Sequence, residues 1–376
     1  MGAMVKYIFF IPAVLMTSAA HADTFAAPLG YFLHGFGPAA RPNLILDWVD
    51  TGICVAVCVL IACLLLYAVL HKRQTDDDRA IMRRDGGLRW VFIATGISCG
   101  VLFAMGIYAL MVLSQTAEPP TEPKLTITVT GYQWWWKVDY DNADPAKRFT
   151  TANEIHIPVG EPVRIELKSA DVIHAFWVPL LAGKTQMIPG QVNSQWLQAD
   201  RPGRYWGQCT QFCGVQHAHM AYEVVAQSPA DFAAWEKEQR APAALTFSSP
   251  LPEGRAGEGV QAMGFKDQLS EHPHPNPSPQ GEGTEEEIRK GATIFLNQCA
   301  ACHTIRGTDA AGGHAPDLTH LQSRRLLAAG LMTNTPEHLS DWIAHAQTLK
   351  PGARMPDFDL SPADKAALIA YLETLQ

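Results

Sequence analysis

Two long runs without a charged side chain set the tightest limit on how this chain can fold. Gly52 to Leu70 is a nineteen-residue stretch of this kind, and Trp90 to Leu113 is a second. Each is long enough to cross about 30 Å of hydrocarbon as a helix, the one open-ended structure that pairs its own backbone N–H and C=O groups. A helical hairpin buried in a soluble core is the competing arrangement. The loop between the runs carries Lys72, Arg73, Arg79, Arg83 and Arg84. The positive-inside rule places this loop, 71–87, in the cytoplasm, and Asp76, Asp77 and Asp78 count little against it. The hairpin over 44–113 then has both outer ends on the far side of the membrane. Everything after about Ser114 is exported.

The amino terminus agrees with export. Lys6 precedes the apolar run Tyr7 to Met16, and Ala20-His21-Ala22 forms a small-residue cleavage site before Asp23. This pattern predicts a signal peptide over 1–22, since the run is too short to be a first span. Charged residues make up 18% of the chain, below the usual ~25%, and the two spans explain part of that deficit. A net charge of −8 argues against a nucleic-acid partner, whose binding face would be basic. Of eight cysteines, Cys54, Cys58, Cys63 and Cys99 fall in the spans and read as small apolar fillers. The other four form two close pairs in the exported part, where disulfides are permitted, so each pair needs its own account.

From Lys124 to about Gln227 the pattern has a period of two. Leu125, Ile127 and Val129 alternate with threonines, and Ile155, Ile157, Val159 and Val163, Ile165, Leu167 repeat the alternation. Broken by Gly and Pro, this predicts short antiparallel strands of a sandwich or barrel. Near its end, Cys209, Cys213 and His217 are spaced by four, and Met220 follows. Thiolate and thioether donors with imidazole suit copper, whereas a zinc site would be expected to use C-x2-4-C pairs and no Met. A Cys209–Cys213 disulfide is the alternative, and it leaves His217 and Met220 without a role. Two cysteines exceed the single thiolate of a mononuclear blue-copper site and are able to bridge two metals. A second His is then needed. His174, closing a strand-like run before Pro179, is the first candidate, with His156 and His219 as rivals. His156 reads as a surface residue of a strand, and His219 points away from His217 by its spacing.

Residues 241–284 change character. His272 to Gly283 is rich in Pro and Gly and predicts a tether, with His272 and His274 as solvated residues of it. About 44 flexible residues span on the order of 35–40 Å, which keeps a tethered partner at roughly millimolar effective concentration. Beyond it, Cys299-Ala300-Ala301-Cys302-His303 is the C-x-x-C-H sequence for covalent c-type haem attachment, with His303 as proximal ligand. A zinc or redox dithiol is the alternative. Glu285 to Gln298 reads as a helix before the motif and Pro362 to Leu375 as a helix after it, with Gly291, Phe295 and Tyr371 placed to form a crossing. Met355 is the natural sixth ligand, with Met332 and His314 as rivals.

Several motifs now occur in a telling order: Gly131 with Gln133-Trp134-Trp135-Trp136, Asp171 with His174 and Pro179, and Lys184-Thr185 with Ile188-Pro189-Gly190. Arg201-Pro202-Gly203 and the Cys209, Cys213, His217, Met220 cluster follow. Together with the hairpin, this resembles subunit II of cytochrome c oxidase, and the segment 285–376 resembles a class I cytochrome c. The resemblance implies a multidomain membrane protein: a two-helix transmembrane hairpin, a β-sandwich cupredoxin-like domain over 120–240, a linker, and a small all-α cytochrome c domain. It implies a dinuclear copper (CuA) centre bridged by Cys209 and Cys213. His174 and His217 would each bind one copper, and Met220 and the backbone carbonyl of Gln211 would complete the shells. Trp134 would be the aromatic through which electrons enter, while Trp135 and Trp136 read as core and interface. Pro316 stands where cytochromes c support the proximal His. The family usually has Glu where Gln211 stands, so its magnesium ligand is not carried over. Tyr132 replaces a frequent His, and no Glu occurs from Leu88 to Ile93, so no proton-uptake role is carried over either.

The function implied is that of the electron-transfer subunit of a proton-pumping haem-copper oxidase in a bacterial inner (plasma) membrane. Electrons would pass from a soluble or membrane cytochrome c donor through the fused haem c and the copper pair to subunit I. The partners implied are subunit I, other oxidase subunits and membrane lipid. A nitrogen-oxide reductase subunit with the same copper centre, and a membrane-tethered copper-delivery protein, are the alternatives. Cofactors carry such chemistry, and the protein sets their position and potential.

Overall fold

The computed structural model describes residues 33–71, 86–243 and 283–376. The signal peptide at 1–22, nearly all of the basic loop, and most of the tether with His272 and His274 lie outside the described residues.

Helix α1 runs Arg41–Leu70 and α2 runs Gly86–Ala117. Thirty residues of α1 measure about 45 Å, more than the hydrocarbon needs. The helix therefore starts well before the charge-free run. Pro42 in its first turn, where no N–H partner is lost, favours initiation there, and Asp47 and Asp50 occupy turns that the hydrocarbon does not have to contain. No side chain of α1 is buried. Leu64, Leu65, Leu66, Phe92 and Phe103 are all exposed. A soluble core would cover such a surface, so the buried-hairpin alternative fails and the two helices suit lipid. Their outer ends are clamped to the β domain. Arg41 pairs with Asp200, and Trp196 Nε1 donates to the carbonyl of Thr116 at 2.9 Å.

The ten strands of the next domain are β1 (Leu125–Tyr132), β2 (Trp135–Asp141), β3 (Phe149–Ala152), β4 (Glu154–Pro158) and β5 (Val163–Ser169). Then come β6 (His174–Trp177), β7 (Thr185–Met187), β8 (Asn193–Leu197), β9 (Gly203–Cys209) and β10 (Ala221–Gln227). They form two five-stranded sheets, ordered β3-β2-β1-β5-β8 and β4-β10-β9-β6-β7. Ile127, Val129, Val138, Ile155, Ile157, Ile165 and Leu167 fill the space between, around Trp136, Phe176 and Tyr222. This is the cupredoxin-like sandwich. Not every pair is antiparallel: β1 runs parallel to β5, and β4 parallel to β10. Period-two alternation reports which face is buried and is silent on strand direction, so the sequence reading missed this. His156 is also not a surface residue. Helix α3 (Pro229–Arg240), capped by Ser228, covers that side of β4. Trp235 stacks on the His156 ring at 3.9 Å, and both faces of β4 are buried.

The carboxy-terminal domain comprises α4 (Glu285–Gln298), a short hairpin of β11 (Leu326–Leu327) with β12 (Met332–Thr333), α5 (Pro336–Leu349) and α6 (Pro362–Glu373). A capping box between Thr284 and Glu287 starts α4. Gly291 lets α4 cross α6 closely, since a Cβ there would lie 2.0 Å from the carbonyl oxygen of Ala367. Phe295 and Tyr371 meet at the same crossing, 5.8 Å apart.

This domain is seated on the sandwich. Arg325 pairs with Glu223, Ala221 N donates to Ala329 O at 2.9 Å, and Gln216 Nε2 donates to Pro351 O at 2.9 Å. Lys350 Nζ donates to Trp134 O at 2.9 Å. A Pro-rich tether of itself argues for a loosely held domain. Here polar bonds join the two domains, a contact that linker composition did not foretell.

Candidate metal centre

The end of β9, the loop after it and the start of β6 bring together the residues singled out in the sequence. Cys209 Sγ and Cys213 Sγ are 3.8 Å apart, nearly twice the ~2.05 Å of a disulfide. His174 Nδ1 lies 3.9 Å from Cys209 Sγ, and His217 Nδ1 lies 3.6 Å from Cys213 Sγ. Met220 Sδ is 3.7 Å from Cys213 Sγ, and the carbonyl of Gln211 is 3.2 Å from Cys209 Sγ. The ligand atoms of His174, Cys209 and Cys213 all lie within 4.8 Å of one another. Two cysteine sulphurs, two imidazoles, a thioether and a carbonyl, each within 3.2–3.9 Å of a cysteine sulphur, form a mainly soft donor set that fits copper. The rivals lie elsewhere. His156 is bound between Glu154 at 2.7 Å and Gln227 at 2.8 Å, while the exposed His219 turns to Gln216.

The backbone explains why the donors converge. Gly131 sits on β1 beneath His174, and a Cβ there would come within 2.9 Å of the imidazole. Gly214 adopts φ +120°, which turns the loop between Cys213 and His217. Asp171, which the sequence marks only as part of a motif, orients His174. Its Oδ1 accepts from His174 Nε2 at 2.8 Å, leaving Nδ1 free to face the sulphurs, and its Oδ2 accepts from Gln133 N at 2.7 Å. Burial works against an imidazolium at His174, but its hydrogen bonds to Cys209 and Asp171 outweigh it, so its pKa is raised. The hydrogen bond between the two thiols brings Cys209 down to about 4 and pushes Cys213 up.

Trp134 adjoins the donors. It is buried, and its Nε1 donates to the Cys213 carbonyl at 3.1 Å. Trp136 lies in the core, as expected, with its ring 6.1 Å from His174. Trp135 stacks on Tyr132 at 4.8 Å.

In the carboxy-terminal domain a cavity of about 300 Å³ is lined by Cys299, Cys302, His303 and Met355, with Phe295, Leu327 and Leu368 among its apolar walls. His303 Nδ1 donates to the carbonyl of Pro316 at 2.8 Å, which leaves Nε2 for an iron. Burial lowers the pKa of His303 and so favours the neutral ligand form. His314 also borders the cavity, whereas Met332, which like Met355 packs against the domain core, is not among the residues that line it. Arg324, which the sequence reading passed over, lines the same cavity; its guanidinium donates to the carbonyl of Asp317, and among the described residues its buried Nε has no partner. A buried cation in an apolar wall fits the carboxylates of a haem. An arginine of this kind has no local sequence signature. The cavity is also bounded by Trp134, Trp135 and Lys350, so it opens onto the sandwich.

Comparison with known proteins adds family. The model of "Cytochrome C oxidase subunit II, periplasmic domain" matches residues 142–228, and that of cytochrome c matches 288–376. Cytochrome c oxidase subunit 2 of Alkalihalophilus pseudofirmus is 32% identical over 350 residues, covering 90% of this chain and 89% of the relative. The subunit 2 of Cereibacter sphaeroides is 30% identical over 268 residues, covering 60% of this chain and 86% of the relative. Among solved structures, the periplasmic domain of subunit II of cytochrome oxidase from Bradyrhizobium japonicum is 31% identical with a TM-score of 0.30, covering 32% of this chain and 96% of that one.

Proposed function

Because this chain belongs to the cytochrome c oxidase subunit II family and carries a cytochrome c domain, we propose that it relays electrons from a haem c on its own carboxy-terminal domain to a dinuclear copper centre, and from there to subunit I of the oxidase. The observation that carries this reading is Trp134, which borders the haem cavity and also donates to the carbonyl of Cys213. Both groups, when bound, supply one-electron redox chemistry.

The protein's part is to hold and orient. Cys209 and Cys213 would bridge the two coppers. His174 and His217 would bind one each, with Met220 and the Gln211 carbonyl completing the shells. Asp171 fixes the tautomer of His174, as metal-bound imidazoles require. Cys299 and Cys302 would anchor the haem, His303 and Met355 would bind its iron, and Arg324 would meet its carboxylates. Burial of the thiols keeps water from the centre. The two helices would anchor the chain in a bacterial inner membrane with both domains on the periplasmic side. The other partners would be further oxidase subunits, lipid and a cytochrome c donor.

Electron paramagnetic resonance of the purified full chain tests the copper assignment. One unpaired electron shared by two equivalent coppers is expected, and a mononuclear spectrum overturns it. Cys213→Ser should remove that signal while the haem spectrum stays. Oxygen uptake by the purified complex separates this reading from nitrogen-oxide reduction.

A further inference from the structure

Lysine side chains are rarely buried without a carboxylate partner, because desolvating an ammonium is costly. Lys350, which follows α5, is 3% exposed. Its Nζ donates to the carbonyl of Trp134 on the sandwich at 2.9 Å and to the carbonyl of Ala328 in its own domain at 2.7 Å. It therefore bridges the two domains at the residue that lies between the two cofactor sites. Around it, Gln216 Nε2 holds the carbonyl of Pro351, one residue on. Gly352, at φ +82°, lets the chain pass close over the Trp134 ring, where a Cβ would stand 3.3 Å from the indole edge. The same loop leads directly to Met355.

We infer that Lys350 is a positioning residue that fixes the register of the haem domain on Trp134, so that the distance between the two redox sites is held at one value. This inference rests on the electron-relay reading above. An apolar residue of equal length would fill the space as well. It would, however, leave the buried carbonyl of Trp134 and the part-buried carbonyl of Ala328 without this donor in this pose and free to find donors in shifted ones. A buried polar group of this kind specifies a pose more than it strengthens the interface.

The purified oxidase complex carrying Lys350→Met or Lys350→Gln provides the test. Haem and copper spectra and midpoint potentials are recorded first. Haem-to-copper transfer in the unsubstituted complex tests the relay reading separately, and its absence there would overturn that reading rather than the role of Lys350. After rapid reduction of the haem, electron transfer to copper is then followed. For Lys350→Met, a single fast phase should become several-fold slower and spread over several phases, since electron tunnelling falls steeply as the separation of the two sites grows. Lys350→Gln, which keeps a donor on a shorter arm, should fall between. An unchanged single phase in Lys350→Met overturns the inference. A second measurement needs no variant. Acylation of amines in the unsubstituted complex should spare Lys350 while it modifies the exposed Lys290, and equal labelling of the two also overturns it.

Discussion

The indole Nε1 of Trp134 donates to the backbone carbonyl of Cys213 at 3.1 Å. The same carbonyl accepts from Gln133 Nε2 at 2.7 Å, so the sulphur-bearing loop is tied twice to the turn between β1 and β2. The carbonyl of Trp134 faces the other way and accepts from Lys350. One residue thus touches the candidate copper site with its ring and the haem domain with its backbone.

Replacing Trp134 with Phe keeps an aromatic ring and removes the N–H. The Gln133 bond remains to hold the loop. The copper spectrum should therefore stay as it is, while haem-to-copper transfer slows several-fold. Rapid-mixing kinetics on the complex would show this, and an unaltered rate would leave Trp134 with a structural role only.

Asp171 is the second point where positions are linked, since one carboxylate serves both His174 Nε2 and Gln133 N. Asn in its place accepts at one oxygen and sets an N–H₂ against a donor at the other. Loss of such support for a metal-bound imidazole typically lowers affinity by about 10–100-fold. Competition with a copper chelator should find a drop in that range for Asp171→Asn, with no change in the haem spectrum.

The sequence was most informative where a donor set or a hydrophobic period is local. The cluster from Cys209 to Met220 spans twelve residues, and its loop geometry follows from that spacing. The two spans and the C-x-x-C-H motif are equally local. Three features were not legible. The parallel pairing of β1 with β5 depends on chain crossing, which alternation does not encode. The burial of His156 follows from α3 folding back over β4, so a distant Trp235 decides it. The seating of the haem domain depends on Lys350, Arg325 and Gln216, each an ordinary polar residue until its partner is known.

Met355 and His314 both border the haem cavity, while Met332 is not among the residues that line it. Met355→Leu should therefore change the axial-ligand spectrum and lower the haem potential, because Met/His ligation raises it. Met332→Leu should leave both as they were. Visible spectroscopy and a redox titration check this directly. A spectral change in Met332→Leu with none in Met355→Leu would reverse the assignment.

Lys350 also makes docking depend on pH, with a definite sign. Burial pushes its amine down to about 7, although the Cys213 sulphur across the interface works in the opposite direction. An exposed lysine titrates near ~10.4. Between these values the docked form binds fewer protons than an undocked one, so raising the pH through this window favours docking. Below about 7 the amine is charged in both forms, and the full burial cost opposes docking. The fraction of complexes with fast haem-to-copper transfer should rise between about pH 6.5 and pH 9. Lys350→Met has no amine to titrate and should not show the rise. A profile shared by both proteins would assign the dependence to another group.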